Sequence, residues 1–518
     1  MFDDIFALKL LTVMVLIFVV IIGLVALAIA VMYVTDVTQR RHTIRRNYPV
    51  IGRFRYWFEH LGEFFRQYFF AMDREEMPFN RAERAWVYRA AKNLDLNLGF
   101  GSTRDLNPPG TVLFLNSAFP TLEQDASRPS AVTIGPYCRQ PYTTSAFFHI
   151  SGMSYGAISR PAVLALSRGA AQAGCWLNTG EGGLSPYHLE GGCDLVFQLG
   201  TAKYGARDLN GQLSDERLKA LAEQDAVKMF EIKLSQGAKP GKGGILPGEK
   251  VSAEIAAIRG IPEGHPSISP NGHPDIRSAE DLLDMIDRIR QVTGKPVGFK
   301  AVLGDKQWLH DLVDGIRARG IDRAPDFITL DSADGGTGAS PQPLMDYVGL
   351  PLKESLPWLC DLLQEAGLKE RIRVIASGKL VNPSMVAWAI ACGADFVTSA
   401  RGFMFSLGCI QAMQCHKNTC PTGVTTHDPK LQKGLDPTDK AQRVANYQRN
   451  LTYSVGLIAH ACGVSEPRLL HRRHVHMALN NGLSAPLNEL YPEPITLIDN
   501  DAQASSESPS SKEVNHDA

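Results

Sequence analysis

Short apolar runs alternate with amphipathic segments of helical length from about residue 130 onward. The segment 278–292 is representative, because Ser278 is a suitable N-cap and Glu280 and Asp281 follow in the first helical turn. The apolar runs end in small or polar residues and have the length of buried strands. The candidate strands are residues 147–151, 195–199, 229–234, 296–302, 327–331, 373–377 and 395–400.

This alternation predicts a parallel α/β fold with polar residues at the carboxyl ends of the strands. The number of units favours a closed (β/α)8 TIM barrel, and a doubly wound sheet is the alternative. No complete G-x-G-x-x-G sequence follows a candidate strand. The sequence therefore indicates no dinucleotide-binding domain and no NAD(P)H site.

The N-terminal region is apolar from Leu10 to Val34, with Thr12 and Gly23 as the exceptions, a length that spans a bilayer as a helix. Arginines 40, 41, 45 and 46 follow it, so the positive-inside rule predicts an anchor in the inner (cytoplasmic) membrane with the body in the cytoplasm. A cleaved signal peptide is the alternative, but the run is long and no small-residue cleavage pattern follows.

Residues 40–100 are rich in aromatics and arginine, which indicates amphipathic helices at the membrane face or, equally, a helical collar without membrane contact. Residues 499–518 have almost nothing to bury, which predicts a disordered tail. The expected organisation is an anchor over 1–36, a helical juxtamembrane region over 37–129, a barrel over 130–470, an extension over 471–498 and the tail.

Charge and cysteine content narrow the class of function. The net charge is −1, with 53 basic and 54 acidic residues, so no basic surface predicts nucleic-acid binding. The 9 cysteines are too few and too unevenly spread for a disulfide framework, and a cytoplasmic body keeps thiols reduced. Metal or redox chemistry is the better interpretation of these cysteines.

The most specific local motif contains Cys409, Cys415 and Cys420, followed by Pro421. Thiolates this close in sequence are typical of an iron–sulfur cluster, and the missing fourth cysteine points to a three-iron cluster. A zinc site using His416 is an alternative, although His416 adjoins Cys415 and reaches the same centre with difficulty. Buried structural cysteines are the remaining interpretation.

Two consecutive strands are followed by loops suited to a phosphate, Ser377-Gly378-Lys379 and Ser399-Ala400-Arg401-Gly402. Backbone amides at the ends of the last two barrel strands, together with a helix N-terminus, favour a phosphate group such as that of a flavin mononucleotide.

Earlier strand ends carry further polar residues. Asp331 precedes the glycine-rich turn that holds Gly335 and Gly336, where the backbone can approach a ligand closely. Lys300 is placed to stabilise negative charge on a reduced flavin. Lys233 and Lys239 flank Gln236 in a loop that suits an acidic substrate.

Taken together, these motifs closely resemble the flavin-binding and cluster-binding part of the glutamate synthase family. The resemblance also includes residues 151–159, 178–183 and 198–205, and it runs from about residue 130 to about 470. It implies that FMN is surrounded by Met153, Ser154, Gly335, Gly336, Ser377, Gly378 and Arg401. It further implies a 3Fe–4S cluster on Cys409, Cys415 and Cys420, and a 2-oxoglutarate pocket lined by Glu181, Lys233, Gln236 and Lys239.

The sequence departs from the large glutamate synthases in two ways. We expect no glutamine amidotransferase domain before the barrel and no β-helix domain after it. Ammonia is then free, supplied by a partner or replaced by another amine, and electrons come from ferredoxin or a partner reductase subunit. The leading hypothesis is reductive amination of 2-oxoglutarate to L-glutamate. The alternatives are an N-methylglutamate synthase-like flavin subunit and a membrane-docked electron-transfer or scaffold subunit.

Overall fold

The computed structural model describes residues 2–494, apart from the side chains of residues 2–4, 63 and 64. The predicted tail and the last residues of the predicted extension lie outside the described residues. Contacts divide the chain into two units, Met1–Ala82 and Glu83–Ala518.

The first unit begins with a long helix, α1. Within it, Ile5–Thr38 is long and apolar enough to cross a membrane, and its most apolar 18-residue stretch is not buried in the protein. Two further helices follow, and a single π-helical turn, Arg66–Phe70, continues the second of them. The bounds are α1 Phe2–Thr38, α2 Thr43–Asn47 and α3 Gly52–Phe65.

The second unit is built on a closed parallel barrel whose strand order is β4-β5-β6-β7-β10-β11-β12-β13. Strand β13 pairs with β4 in parallel and closes the barrel. The predicted TIM barrel is therefore confirmed, and the doubly wound sheet is excluded. The strand bounds are β1 Val112–Phe114, β2 Val132–Ile134, β3 Tyr142–Thr144, β4 Phe148–Ile150, β5 Leu177–Asn178, β6 Leu195–Leu199, β7 Val227–Lys233, β8 Ile245–Leu246, β9 Ser267–Ile268, β10 Val297–Val302, β11 Phe327–Asp331, β12 Arg373–Ser377, β13 Phe396–Ser399, β14 Val475–Ala478 and β15 Ser484–Pro486.

Helices cover the outside of the barrel. As the sequence predicts, α9 begins after Ser278, whose hydroxyl accepts a hydrogen bond from the backbone nitrogen of Asp281 at 3.1 Å. The helix bounds are α4 Arg81–Ala91, α5 Arg160–Ala173, α6 Pro186–Leu189, α7 Asp215–Ala222, α8 Ala253–Arg259, α9 Ala279–Thr293, α10 Gln307–Arg319, α11 Gln342–Tyr347, α12 Leu352–Glu365, α13 Pro383–Ala391, α14 Arg401–Ser406, α15 Pro429–Gln432, α16 Pro437–Ala461 and α17 Leu487–Leu490. Short 3-10 turns lie at Glu123–Asp125, Gly248–Lys250, Ile321–Arg323, Pro467–Leu469 and Arg472–His474.

The amino-terminal end of the barrel is closed by apolar side chains. Strands β2 and β3 form an antiparallel hairpin, and its residues Ile134 and Tyr142 join a buried cluster with Trp176, Phe327 and Phe396. Because these side chains fill one end, the polar motifs lie at the opposite end of the barrel, where the strands have their carboxyl ends.

Candidate functional site

An open cleft of about 1010 Å³, including the solvent at its mouth, lies where the barrel strands end. Residues that lie more than 260 positions apart in the sequence meet in this cleft. The predicted residues that line it are Met153, Ser154, Glu181, Lys233, Gln236, Lys239, Gly336, Arg401 and Cys415. The other predicted residues are not among those lining the cleft, namely Lys300, Asp331, Gly335, Ser377, Gly378, Cys409 and Cys420.

A buried ion pair lies on one wall of the cleft. Lys233 is the last residue of β7, and its Nζ lies 2.8 Å from Oε1 of Glu181, which follows β5. Two glycines make room for this carboxylate, since a Cβ added at Gly200 or Gly244 would lie within 2.7 Å of a carboxylate oxygen of Glu181. The pair therefore depends on the small residues around it as well as on its own charges.

The cleft wall that holds this ion pair carries more positive than negative charge. Burial alone raises the pKa of Glu181, but Lys233 and Lys239 outweigh it and leave that pKa below its ordinary value. Burial, reinforced by the charge of Lys233, lowers the pKa of Lys239 to about 8. At neutral pH the wall thus carries two cations and one anion, a net positive charge suited to an anionic ligand.

The sequence reasoning missed Arg259, another buried cation of the cleft. Its guanidinium donates to the Tyr155 carbonyl oxygen at 3.2 Å and to the Ser267 hydroxyl at 3.1 Å. In the described part of the chain its Nε has no hydrogen-bond partner. It lies at the end of α8, and the linear sequence around it carries no motif that would have identified it.

Lys300 and Asp331 form a second ion pair behind the cleft, with Nζ 3.2 Å from Oδ2. Asp331 also accepts a hydrogen bond from the backbone nitrogen of Gly237 at 2.9 Å. This bond connects β11 to the loop between Lys233 and Lys239. Burial lowers the pKa of Lys300, but Asp331 and Glu231 raise it by more, so this lysine stays charged.

Glu231 is a buried polar residue of the barrel interior that the sequence reasoning did not place in the site. Its carboxylate accepts hydrogen bonds from Asn178 at 2.8 Å, Gln198 at 2.6 Å and Thr329 at 2.5 Å. Alternation along β7 is the available signal, because Glu231 shares a strand face with Lys233. Because β7 is otherwise mostly apolar, a carboxylate on the same strand face as Lys233 indicates that this face points into the barrel interior.

The glycine-rich turn after β11 packs against the loop after β12. Ser332 donates its backbone N–H to the Ser377 carbonyl oxygen at 2.9 Å, and Lys379 pairs with Asp334 at 3.0 Å. A Cβ added at Gly378 would lie 2.9 Å from the Ser332 nitrogen and closer still to the Ser332 Cβ, and its φ is +114°. Only glycine satisfies both conditions.

Arg401 connects the turn to the cysteine loop. Its guanidinium donates to the Thr337 carbonyl oxygen, and Nη1 lies 3.8 Å from Sγ of Cys415. A Cβ added at Gly336 would lie 2.7 Å from Nε of Arg401. The missing side chain of Gly336 therefore leaves room for this arginine at the edge of the cleft.

The three cysteines of the loop have different surroundings. Cys409 and Cys420 are buried, and Cys415 is half-buried at the cleft. Burial raises the pKa of Cys409 to about 11, against the effect of Arg401, and the other two thiols add to the rise. Burial also raises the pKa of Cys420, but hydrogen bonds from Thr422 and other groups leave it below its ordinary value. Among the described residues, no three His, Cys, Asp or Glu side chains are grouped so that they could hold a metal ion.

Lys250 fixes the loop from the other side. Its buried ammonium donates to the carbonyl oxygens of Cys415 at 2.7 Å and Thr425 at 2.5 Å. The Tyr88 hydroxyl donates to the Cys409 carbonyl oxygen at 2.6 Å. The loop is thus held through contacts with its backbone.

This polar, partly cationic cleft lies at the carboxyl ends of the barrel strands, the face where TIM-barrel enzymes have their active sites. The family model described as the conserved region in glutamate synthase matches residues 113–465 of the chain. The chain therefore belongs to the glutamate synthase family, and this membership makes it an oxidoreductase and supports FMN as its cofactor.

Several known proteins are similar to the chain. The glutamate synthase large subunit-like protein YerD of Bacillus subtilis is 41% identical, over 88% of this chain and 94% of its own length. An archaeal-type glutamate synthase [NADPH] of Thermotoga sp. is 36% identical over 61% of this chain, which spans only 59% of that relative. Among solved structures, a mutant flavocytochrome b2 aligns with a TM-score of 0.45 and 12% identity over 85% of this chain and 87% of its own.

Proposed function

We propose that the protein catalyses the reductive amination of 2-oxoglutarate to L-glutamate with ammonia that this chain does not itself generate. The observation that carries this proposal is the cationic cleft wall, where Lys233 and Lys239 outnumber the one carboxylate, Glu181. Arg259 adds a third cation on the same cleft, which brings the excess to two positive charges. A dianionic 2-oxo acid neutralises these two charges.

Each residue of the wall has a distinct role in this proposal. Lys233 is held by Glu181 and serves as a fixed cation for a substrate carboxylate. Lys239 has its pKa lowered to about 8, so its Nζ can release a proton to the substrate nitrogen near neutral pH and regain it afterwards. Gln236 lies on the same cleft and supplies a neutral hydrogen-bonding group for orientation.

The cleft leaves the backbone of Gly336 open to FMN, beside Met153 and Ser154. Gly378, which has no space for a side chain, shapes the neighbouring loop after β12. Together with Gly335, Ser377 and Arg401 these residues would hold the flavin, with Lys300 and Asp331 behind it. When bound, FMN supplies the hydride that reduces the imine carbon to the amino acid.

The cysteine loop fits an iron–sulfur cluster in the chemistry of its ligands. Cys409, Cys415 and Cys420 would hold a 3Fe–4S cluster, which would supply single-electron transfer from a donor such as ferredoxin or a partner reductase subunit. The support for this proposal is the sequence pattern, because the three thiols lie within twelve residues and Pro421 follows them.

We also infer that α1 anchors the chain in the inner (cytoplasmic) membrane and leaves the barrel in the cytoplasm. The support is the apolar length of Ile5–Thr38 and the arginines that follow it.

The test uses the purified full-length protein with a chemically reduced ferredoxin. Its flavin is released by denaturation and identified, and we expect FMN. Turnover is then measured with 2-oxoglutarate and either ammonia or methylamine, and we expect glutamate from ammonia. Faster turnover with methylamine would favour the N-methylglutamate synthase-like function. FMN without turnover of either amine would favour the electron-transfer subunit, and bound FAD would contradict the site itself.

A further inference from the structure

Helix α3, Gly52–Phe65, exposes a continuous aromatic stripe. Phe54, Trp57 and Phe58 are 53%, 54% and 59% exposed, although large apolar side chains normally lie inside a protein. With Leu61 and Phe65 they follow the spacing i, i+3, i+4, i+7 and i+11, which is one side of a helix. The rings touch each other, with centroids of Trp57 and Phe58 5.0 Å apart.

The stripe continues into the π-helical turn that follows. Tyr68, Phe69 and Phe70 are exposed there, Phe69 and Phe70 each by 74%. Phe65 joins the two parts, because its ring centroid lies 5.5 Å from that of Phe69. The apolar surface therefore extends over the whole length of α3 and one further turn.

Helix α3 is fixed to the end of α1. Asp36 of α1 is buried and accepts hydrogen bonds from the backbone nitrogen of Val50 at 3.0 Å and from Nε of Arg53 at 2.8 Å. Gly52 allows the chain to fold this tightly, since a Cβ there would lie 2.8 Å from the Ile44 carbonyl oxygen. The position of α3 is thus set by the end of the apolar helix.

The length of α1 indicates how deep in a bilayer the contact between α1 and α3 would lie. The apolar run of residues 10–34 measures about 37 Å as a helix, slightly more than the roughly 30 Å of a bilayer core. Asp36 lies two residues after the run, so α3 is attached at the level where the hydrocarbon core ends. Aromatic residues are enriched at this level in membrane proteins.

The charge of this region selects the surface that it contacts. Residues 39–70 contain arginines 40, 41, 45, 46, 53, 55 and 66, against only two acidic residues, Glu59 and Glu63. Such an excess of arginine attracts anionic lipid headgroups and repels a second copy of the same segment. An anionic bilayer is therefore a better partner for the stripe than self-association.

We propose that α3 is an interfacial helix whose aromatic stripe inserts at the boundary between headgroups and acyl chains of an anionic membrane. The arginines then contact lipid phosphates. This inference rests on the anchoring role of α1 under the proposed function. It assigns α3 to the bilayer surface as well, so two helices of the first unit contact the membrane.

The experiment uses the full-length protein in vesicles of phosphatidylcholine and phosphatidylglycerol whose acyl chains carry bromine at shallow or at deep positions. Bromine quenches nearby tryptophan, and Trp57 is the tryptophan of the stripe. We expect part of the fluorescence to be quenched, more by shallow than by deep bromine. Trp57→Phe should abolish that quenching, whereas the matched control Trp358→Phe, in α12 of the barrel unit, should retain it.

Two results would overturn the proposal, and they are distinguishable. If the protein floats with the vesicles but Trp57→Phe does not change the quenching, α3 does not lie in the bilayer although the anchor does. If the protein does not float with the vesicles at all, the anchor and α3 are both wrong. As a second measurement, Phe58→Ser should raise amide hydrogen exchange in Gly52–Phe65 in vesicles, and an unchanged exchange would contradict the insertion of the stripe.

Discussion

Replacing Glu181 by Gln removes the carboxylate of the buried pair and leaves Lys233 and Lys239 close together without it. At 2.8 Å and an effective dielectric constant of about 20, the attraction between Glu181 and Lys233 is about 6 kcal/mol. Removing one partner of a buried pair costs roughly 3–5 kcal/mol after desolvation is included. Because this pair borders an open cleft, we expect the lower end, about 3 kcal/mol of unfolding free energy.

The assay is urea unfolding of the full-length protein, with wild type and variants brought to the same flavin content. Lys233→Met and the double variant complete a double-mutant cycle, and the double variant should lose less than the sum of the two single changes. Asp314→Asn is the matched control, since it breaks an exposed pair with Arg317 and should leave stability unchanged.

The pH dependence gives an independent check of the same pair. The pKa of Glu181 in the folded protein lies below its ordinary value of 4.5, so its contribution to stability is present above pH 4.5 and is lost as the pH falls below it. The difference between wild type and Glu181→Gln should therefore shrink under acid conditions. A Glu181→Gln variant as stable as wild type at neutral pH, or single effects that simply add, would refute the reasoning.

Three further predictions follow from the site. Binding of 2-oxoglutarate should weaken as the pH rises through about 8, where Lys239 loses its proton, and Lys239→Arg should move this loss to higher pH in a titration of binding; an unchanged profile would exclude Lys239. Gly378→Ala should reduce flavin retention on gel filtration, because its Cβ would collide with Ser332, whereas Gly456→Ala in α16, where no atom lies nearer than 4.0 Å to the added Cβ, should retain the flavin as well as wild type. Cys415→Ser should lose close to three irons per chain and the paramagnetic signal of the oxidised cluster, while the flavin absorbance remains. The control Cys462→Ser, outside the loop, should keep the iron and the signal. One zinc per chain, or no metal in the wild type, would contradict the cluster.

The sequence alone determined the barrel, because buried strands and their covering helices have distinct periodicities that can be read locally. Seven of the eight strands were identified in this way, and Ser278 was identified as the N-cap of α9. The eighth strand, β5, was missed, since Leu177–Asn178 is too short to show a pattern and is a strand only through its neighbours β4 and β6. The glycine and cysteine motifs were also visible locally, because each lies within one continuous segment.

Only the tertiary structure decided which of these segments meet. Glu181 and Lys233 are 52 residues apart, and their pairing depends on the curvature that brings the ends of β5 and β7 to one rim. Arg259 and Glu231 gain their places in the same way, the first from the end of α8 and the second from the inward face of β7. Local pattern specifies the elements, whereas the charge balance of the cleft depends on distances between strand ends that exist only after the barrel closes.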